Sequence, residues 1–176
     1  MKPGDIFFSM THGAFDSESI AWFMRSRWSH CGIIRETTAN TIYTTETNSF
    51  CVCHGRMDSY DKDSRVEYEV WSPRGISDNE RQKIGMAADE YCGKLYGYLQ
   101  FPSLAIKTLL ERINISIKNP VSQGKMCDDV VMRAYRDGPI PSLRSLDESN
   151  TYLEQLYQLV VQCGNFDRVA VKEWKK

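Results

Sequence analysis

Excess charge of one sign, long apolar runs and histidine are all scarce in this chain of 176 residues. The formal net charge is −1, which provides no electrostatic footprint for nucleic acid or for an anionic lipid surface. No apolar run approaches the roughly 18 residues that a membrane-spanning helix needs, and no export leader is visible. We therefore expect a protein without a nucleic-acid partner or membrane span, cytoplasmic as synthesised, for which reaching a target outside the cell would require lysis or particle delivery.

Common cofactor and nucleophile motifs are also missing. The sequence contains no phosphate-binding loop, no Gly-rich dinucleotide motif after a strand and no Gly-x-Ser-x-Gly elbow. Apolar residues make up 41% and charged residues 26%, which is ordinary for a globular protein, and the length fits a single domain over 1–176. Six cysteines in a chain without a leader are expected to be mostly reduced thiols.

Hydrophobic periodicity and turn residues predict strands first and helices afterwards. The predicted strands are Ile6–Phe8, Ser29–Ile34, Thr41–Thr47, Phe50–Cys53, Val66–Trp71 and a final Arg168–Lys172. The predicted helices are Ser17–Arg25, one from a capping box at Ser77 to about Tyr91, one over Leu104–Ile113, one over Met126–Ala134, and one after a capping box at Thr151–Glu154. This order predicts an α+β domain.

A histidine on a strand and a cysteine at a helix start are the strongest candidates for chemistry. His30 is one of only three histidines, and Cys127 lies in the first turn of its predicted helix. A thiol becomes a strong nucleophile as thiolate, which a nearby imidazole and a helix N-terminus both favour. Gly32, on the His30 side of the strand, would leave space for another backbone or a substrate.

Glu46 is the candidate third member of this group. It lies on the next predicted strand, and if the two strands pair, its carboxylate accepts from the imidazole and fixes its tautomer. Each residue also has a purely structural interpretation. His30 can be a satisfied structural histidine, Glu46 a solvent-facing strand charge and Cys127 a buried apolar residue.

Several other residues are weaker candidates for a functional role. Asp128 is a candidate substrate contact, although its charge and that of Asp129 would oppose thiolate formation unless they point away. Tyr96, in the glycine-flanked run Gly93–Tyr98, is a candidate cleft residue. The run Cys51–His54 is too cramped for a zinc site, so no metal is expected there, and His12 is interpreted as a loop histidine.

Taken together, these motifs resemble a known family. They are a Gly4-Asp5-Ile6 opening, Ser29–Ile33 with its Ser-His-x-Gly-Ile pattern, Glu46, the Gly93–Tyr96 loop and a late Cys127. The sequence resembles the circularly permuted, papain-like NlpC superfamily, and within it the YiiX-like cysteine hydrolases. The resemblance spans roughly Gly4–Ala134. It implies a small antiparallel barrel-like sheet packed against helices.

The resemblance also implies roles. Cys127 matches the nucleophile, His30 the general base, Glu46 the orienting residue and, more weakly, Tyr96 a tyrosine near the cleft. The implied enzyme is a cysteine peptidase or amidase that cleaves cell-wall-type or γ-glutamyl peptides through a thioester, with no metal or organic cofactor. Met126 before the cysteine and Asp128–Asp129 after it depart from the family pattern, which puts substrate choice and oxyanion geometry in doubt.

Three alternatives remain open at this point. The first is a thioesterase, acyltransferase or lipid esterase that uses the same triad on an acyl substrate. The second is a catalytically silent binding module, and the third is a viral or phage protein that acts through a host partner. The sequence does not give the oligomeric state.

Overall fold

The structure is a computed structural model that describes residues 1–48, 50–95, 110, 126–136, 138, 140–144, 146 and 151–175. Its strands are β1 (Ile6–Thr11), β2 (His30–Thr37), β3 (Ile42–Thr47), β4 (Val52–Arg56), β5 (Val66–Pro73) and β6 (Phe166–Lys172). Its named helices are α1 (Phe15–Met24), α2 (Met57–Lys62), α3 (Asp78–Asp89), α4 (Cys127–Arg136), α5 (Pro141–Arg144) and α6 (Leu153–Gln162). The expected α+β class is confirmed.

The six strands form one antiparallel sheet in the order β4-β3-β2-β1-β5-β6. Within the described residues β4 and β6 are the two edges, so the sheet is open. The sheet was expected to close like a barrel, and this expectation is therefore wrong. Beyond β4, the described part of the chain after α3 adds an isolated bridge between Cys51 and Leu95.

The central position of β1 follows from its unbroken apolar run. Ile6 and Phe8 point into the larger core, while Phe7 points into a second cluster on the opposite face. Both faces of this strand are therefore covered, which explains why its sequence is an unbroken apolar run. The strand continues through buried Ser9 to Thr11, beyond the predicted end at Phe8, because the polar residues are still paired within the sheet.

The Gly4-Asp5 opening fastens the sheet to two helices. The Asp5 carboxylate accepts a hydrogen bond from Arg81 of α3 at 2.9 Å, and both groups are largely buried. The Gly4 carbonyl accepts from the hydroxyl of Tyr135 on α4. Gly4 has φ +80°, and a Cβ there would lie 3.3 Å from the Arg81 carbonyl oxygen, so this turn strongly favours glycine.

Most predicted elements are present, with shifted ends. The capping box of α3 is confirmed, because the Ser77 hydroxyl accepts from the Glu80 N–H and the Glu80 carboxylate accepts from the Ser77 N–H. Helix α6 begins one residue later than Thr151–Glu154 predicted, since Gln155 accepts from the N–H of Tyr152. The helix predicted over 104–113 lies outside the described residues except Leu110, which is helical.

Helices α3 and α4 pack against β2 on the face of the larger core, and α2 covers the other face around Phe7. Sequence periodicity did not predict α2, because it has only six residues and its N-cap, Arg56, provides no capping side chain. In the part of the chain that the structure describes, no helix combines the length and apolar character needed to cross a membrane.

Candidate active site

Antiparallel pairing of β2 with β3 brings His30 and Glu46 together. Gly32 lies opposite Glu46, and His30 is two residues away on the same side of β2. His30 Nε2 and Glu46 Oε2 are 2.9 Å apart, which is hydrogen-bond distance. The glutamate therefore occupies one ring nitrogen and leaves Nδ1 for another partner.

Two further side chains and one glycine hold the Glu46 carboxylate. Thr44 donates to Oε1 at 2.6 Å, and the hydroxyl of Tyr60 on α2 donates to Oε2. A Cβ at Gly55 would lie 1.8 Å from Oε1, so the carboxylate occupies space that only glycine leaves open. Burial favours the neutral acid, but the bonds from His30, Thr44 and Tyr60 together lower the pKa of Glu46.

The space left by Gly32 is taken by a neighbouring backbone, as one of the two expectations had it, and also by an aromatic side chain. A Cβ at this position would lie 2.6 Å from Cε1 of Phe7 and 2.9 Å from the carbonyl oxygen of Thr45. The space beside the imidazole is therefore filled by the Phe7 ring, whose centroid is 5.9 Å from that of His30. The glycine allows an apolar wall to pack against the histidine.

Cys127 is the first residue of α4, and its residue is 5% exposed. Its thiol is close enough to His30 and to Cys31 to interact with both. Since neighbouring residues of a strand point to opposite faces, Cys127 contacts both sides of β2 at the start of that strand. The Cys31 contact was not expected from the sequence, because strand alternation places Cys31 on the opposite face of β2 from His30.

The charges of this group favour a thiolate–imidazolium pair. The bond from Cys31 and the interaction with His30 outweigh burial and lower the pKa of Cys127 well below its usual range. Burial opposes protonation of His30, but the bonds to Cys127 and Glu46 outweigh it and raise the pKa of His30 to about 10. Burial and the neighbouring thiolate raise the pKa of Cys31, so this thiol keeps its proton and donates it.

The two aspartates after Cys127 do not act as expected for free surface charges. Asp128 is 2% exposed, and its burial and the neighbouring charges of Cys127 and Asp129 raise its pKa well above the usual range. A raised pKa reduces the negative charge that Asp128 places beside the thiolate. Asp129 accepts from the N–H of Met126 at 2.9 Å and so caps the start of α4. A substrate contact by Asp128 stays a prediction.

The remaining sequence candidates lie elsewhere. Tyr96 lies outside the described residues. His12 pairs with Glu67 at 3.3 Å and stacks on Trp174. The potential metal ligands that the described residues bring together are His54, Asp89 and Cys92.

Sequence reasoning missed four of the described residues around the triad, namely Tyr60, Thr44, Cys31 and Gly55. All four act through tertiary contacts with Glu46 or Cys127. The alternation along β3 was the available signal for Thr44, which shares a face with Glu46. Tyr60 carried no comparable signal because its helix was not predicted.

The fold and site define an α+β protein with an open antiparallel sheet and a Cys–His–Glu group at the junction of β2, β3 and α4. No protein-family profile matches the sequence, and no curated protein matches it. The structure is similar to the crystal structure of the metalloprotein YiiX from Escherichia coli O157:H7. The TM-score is 0.62 at 20% sequence identity, over 99% of this chain and 98% of that one. A YiiX-like fold is therefore shown.

Proposed function

We propose that the protein is a cysteine hydrolase that cleaves an amide bond in a small peptide substrate. The observation that carries the proposal is His30, which interacts with Cys127 and lies, through Nε2, 2.9 Å from the Glu46 carboxylate. A nucleophile, a base and an orienting carboxylate in this order are the parts that thiol hydrolysis requires. The resemblance to the permuted NlpC-like group supports the same assignment, and the YiiX-like fold is compatible with it.

The first half of the reaction forms a thioester. The Cys127 thiolate attacks the substrate carbonyl carbon, and the electron pair of the C=O bond moves to oxygen. The backbone N–H of Cys127, unpaired within the first turn of α4, stabilises this oxyanion. The tetrahedral intermediate then expels the amine, which takes the proton from the His30 imidazolium.

The second half returns the enzyme to its starting state. His30, now neutral, removes a proton from water, and the resulting hydroxide attacks the thioester carbonyl. The carboxylic acid leaves, and Cys127 returns as a thiolate beside protonated His30. Glu46 keeps Nε2 protonated throughout, so that Nδ1 faces the thiol in both halves. No step requires a metal or an organic cofactor.

An acyl-ester or thioester substrate is the second candidate, and the surroundings of Met126 favour it. Met126, which precedes Cys127, packs against Met24 of α1. The same helix carries two exposed aromatic residues, Phe15 at 88% and Trp22 at 59%. Exposed apolar side chains on the helix that packs against Met126 suit an acyl chain better than a polar peptide. The same triad would hydrolyse an ester with an alcohol as leaving group.

A substrate panel with mass spectrometry of the intact protein separates these candidates. The panel contains γ-glutamyl amides, cell-wall muropeptides and acyl esters, each tested with the wild type and Cys127→Ala. Turnover of an amide, with an acyl group trapped on the Cys127 peptide, supports the amidase. Turnover of acyl esters alone supports the second candidate. If no panel member acylates Cys127 and the variant loses nothing, the protein is better described as a binding module.

A further inference from the structure

A second group of ligand-type side chains lies at the β4 edge of the sheet. His54 comes from β4, Asp89 is the last residue of α3, and Cys92 lies in the turn that follows. One potential ligand atom from each lies within 4.8 Å of the others, and His54 Nε2 is 3.2 Å from Asp89 Oδ1. We propose that His54, Asp89 and Cys92 form a binding site for a divalent transition metal, with zinc as the best chemical match.

This site is separate from the triad because of strand alternation. His54 pairs with Thr45, whereas Glu46 pairs with Cys53, so His54 and Glu46 point to opposite faces of the sheet. Gly55 confirms the geometry, since the space at its missing Cβ is occupied by the Glu46 carboxylate. The proposal therefore does not depend on the function assigned to Cys127.

The donor set is what selects the metal. An imidazole nitrogen, a carboxylate oxygen and a thiolate sulfur suit zinc, whereas calcium and magnesium prefer oxygen ligands alone. In a tetrahedral zinc site the ligand atoms lie about 3–4 Å apart, since zinc–ligand bonds are about 2.0–2.3 Å. The observed spacing needs only small side-chain movements. The side chain of His54 is 45% exposed, so water can reach a fourth position.

The carboxylate of the site is already oriented. Arg35 donates to Asp89 Oδ2, and the Thr45 hydroxyl donates to Oδ1 at 2.5 Å. This arrangement resembles the outer hydrogen bonds that orient metal-bound carboxylates in known sites. Arg35 holds one oxygen and leaves Oδ1, the oxygen nearest His54, for the metal.

The thiol is also fixed relative to β4. The N–H of Cys92 donates to the Asp89 carbonyl at 3.0 Å, which tightens the turn after α3. Gly93 donates to the Val52 carbonyl at 2.8 Å, and Val52 donates to the Lys94 carbonyl at 2.9 Å. The two segments that supply the ligands are therefore joined by backbone hydrogen bonds, so binding needs little ordering of the chain.

Binding proceeds with a simple proton balance. Cys92 releases its thiol proton to solvent as the sulfur binds the cation. His54 binds through Nε2 as the neutral imidazole, with its proton on Nδ1. No oxidant, reductant or further ligand is needed.

The test is titration of the full-length chain with Co²⁺ and Zn²⁺ alone. Cobalt bound by a thiolate gives a sulfur-to-metal charge-transfer band, and zinc displaces it. All proteins carry Cys127→Ser, which removes the reactive thiolate as a competing ligand. The variants are Cys92→Ser and His54→Ala, and the matched control is Cys163→Ser, whose thiol lies at the end of α6.

The proposal predicts one cobalt per chain with a thiolate band in the background protein and in the Cys163→Ser control. Cys92→Ser should abolish the band, and His54→Ala should weaken cobalt binding by at least about tenfold. Both ligand variants should keep the circular dichroism spectrum of the background protein, since neither side chain is buried. Absence of a stoichiometric band overturns the proposal. A band that survives Cys92→Ser overturns it equally, because another thiol would then be the ligand.

Discussion

His30 and His54 lie on strands separated by β3, and each is combined with a carboxylate and a cysteine, yet the two groups differ in almost every property. His30 lies 2.9 Å from Glu46 and bonds to Cys127, whereas His54 lies 3.2 Å from Asp89 and neighbours Cys92. The side chains of His30 and Glu46 are 21% and 10% exposed, whereas those of His54 and Asp89 are 45% and 24% exposed. An imidazole, a carboxylate and a thiol therefore occupy two different physical environments.

The contacts of each cysteine explain the difference. The interactions with Cys31 and His30 lower the pKa of Cys127, and its position at the start of α4 also favours an anion. Cys92 follows the end of α3, where the dipole disfavours an anion, and burial and the Asp89 charge raise its pKa. The comparison teaches that a nucleophile requires more than a nearby histidine, because the groups that contact the thiol decide its charge.

Replacement of His30 should reduce activity more than replacement of Cys31 or Tyr60, and more than replacement of another histidine. His30→Ala should reduce kcat on any turned-over panel substrate by about 10²–10⁴-fold, because the general acid and base are lost. His12→Ala is the control, since His12 pairs with Glu67 and touches none of the triad. Steady-state kinetics on both variants tests this. Equal activity of His30→Ala and the wild type would exclude His30 from the mechanism.

Cys31 should make the next largest difference. A hydrogen bond to a charged group is worth about 1.5–3 kcal/mol, so Cys31→Ala should slow alkylation of Cys127 below neutral pH by about tenfold or more. Cys31→Ser keeps a donor and should recover most of the rate. The measurement is the iodoacetamide rate at Cys127 by peptide mass spectrometry. Equal slowing in both variants would mean that Cys31 acts only through packing.

The buried ion pair should also give stability a defined pH dependence. With reference pKa values of 6.5 and 9.0, the unfolded pair holds one proton between about pH 6.5 and pH 9, as the folded pair does. Below pH 6.5 the unfolded pair binds a second proton, whereas the folded pair keeps one. Above pH 9 the unfolded pair holds fewer protons than the folded pair. The pair therefore loses stabilisation in both directions, by up to about 1.4 kcal/mol per pH unit.

Denaturant unfolding of the wild type and Cys127→Ser checks this sign. The difference in unfolding free energy should be flat between about pH 6.5 and pH 9, and should fall at about pH 5 and about pH 10. A difference that changes steadily through neutral pH would show that Cys127 and His30 carry no preformed charge pair.

Tyr60 should have the smallest of these effects. Tyr60→Phe removes one donor to Glu46 and should lower kcat/KM by about two- to tenfold, since one hydrogen bond contributes about 0.5–1.5 kcal/mol. Tyr68→Phe is the matched control, because its hydroxyl donates to Asp61 at 2.6 Å instead. A greater loss in the control than in Tyr60→Phe would show that tyrosine packing, and not the bond to Glu46, limits the activity.

Local patterns in the sequence were sufficient to predict much of the fold. The capping box at Ser77 and the alternation in Val66–Trp71 identified α3 and β5, because each depends on neighbours in the chain. The pairing of the His30 strand with the Glu46 strand was predicted conditionally, and the structure has it. Whether the sheet closes into a barrel was not predictable, since closure depends on contacts between its two edge strands.

The parts of the site that were missed depend on long-range contacts. Asp89 and Cys92 are about 35 or more residues from His54, and no spacing rule for zinc connects them. The Cys51–His54 run was rejected as a zinc site because its own residues are too cramped, but His54 gains partners from the end of α3 and the turn after it. Gly32 was interpreted from the strand alone, whereas Phe7 of the adjacent strand determines what fills its space.

The most direct test of the central claim is the alkylation rate of each cysteine against pH, in the wild type and in His30→Ala. The account predicts that Cys127 reacts fastest, stays reactive well below pH 8, and slows in the variant. Cys92 should show an ordinary alkaline profile that is the same in both proteins. If Cys127 is inert, or follows the same profile as Cys92 in both proteins, it is not an activated thiolate, and the proposed hydrolase mechanism is wrong.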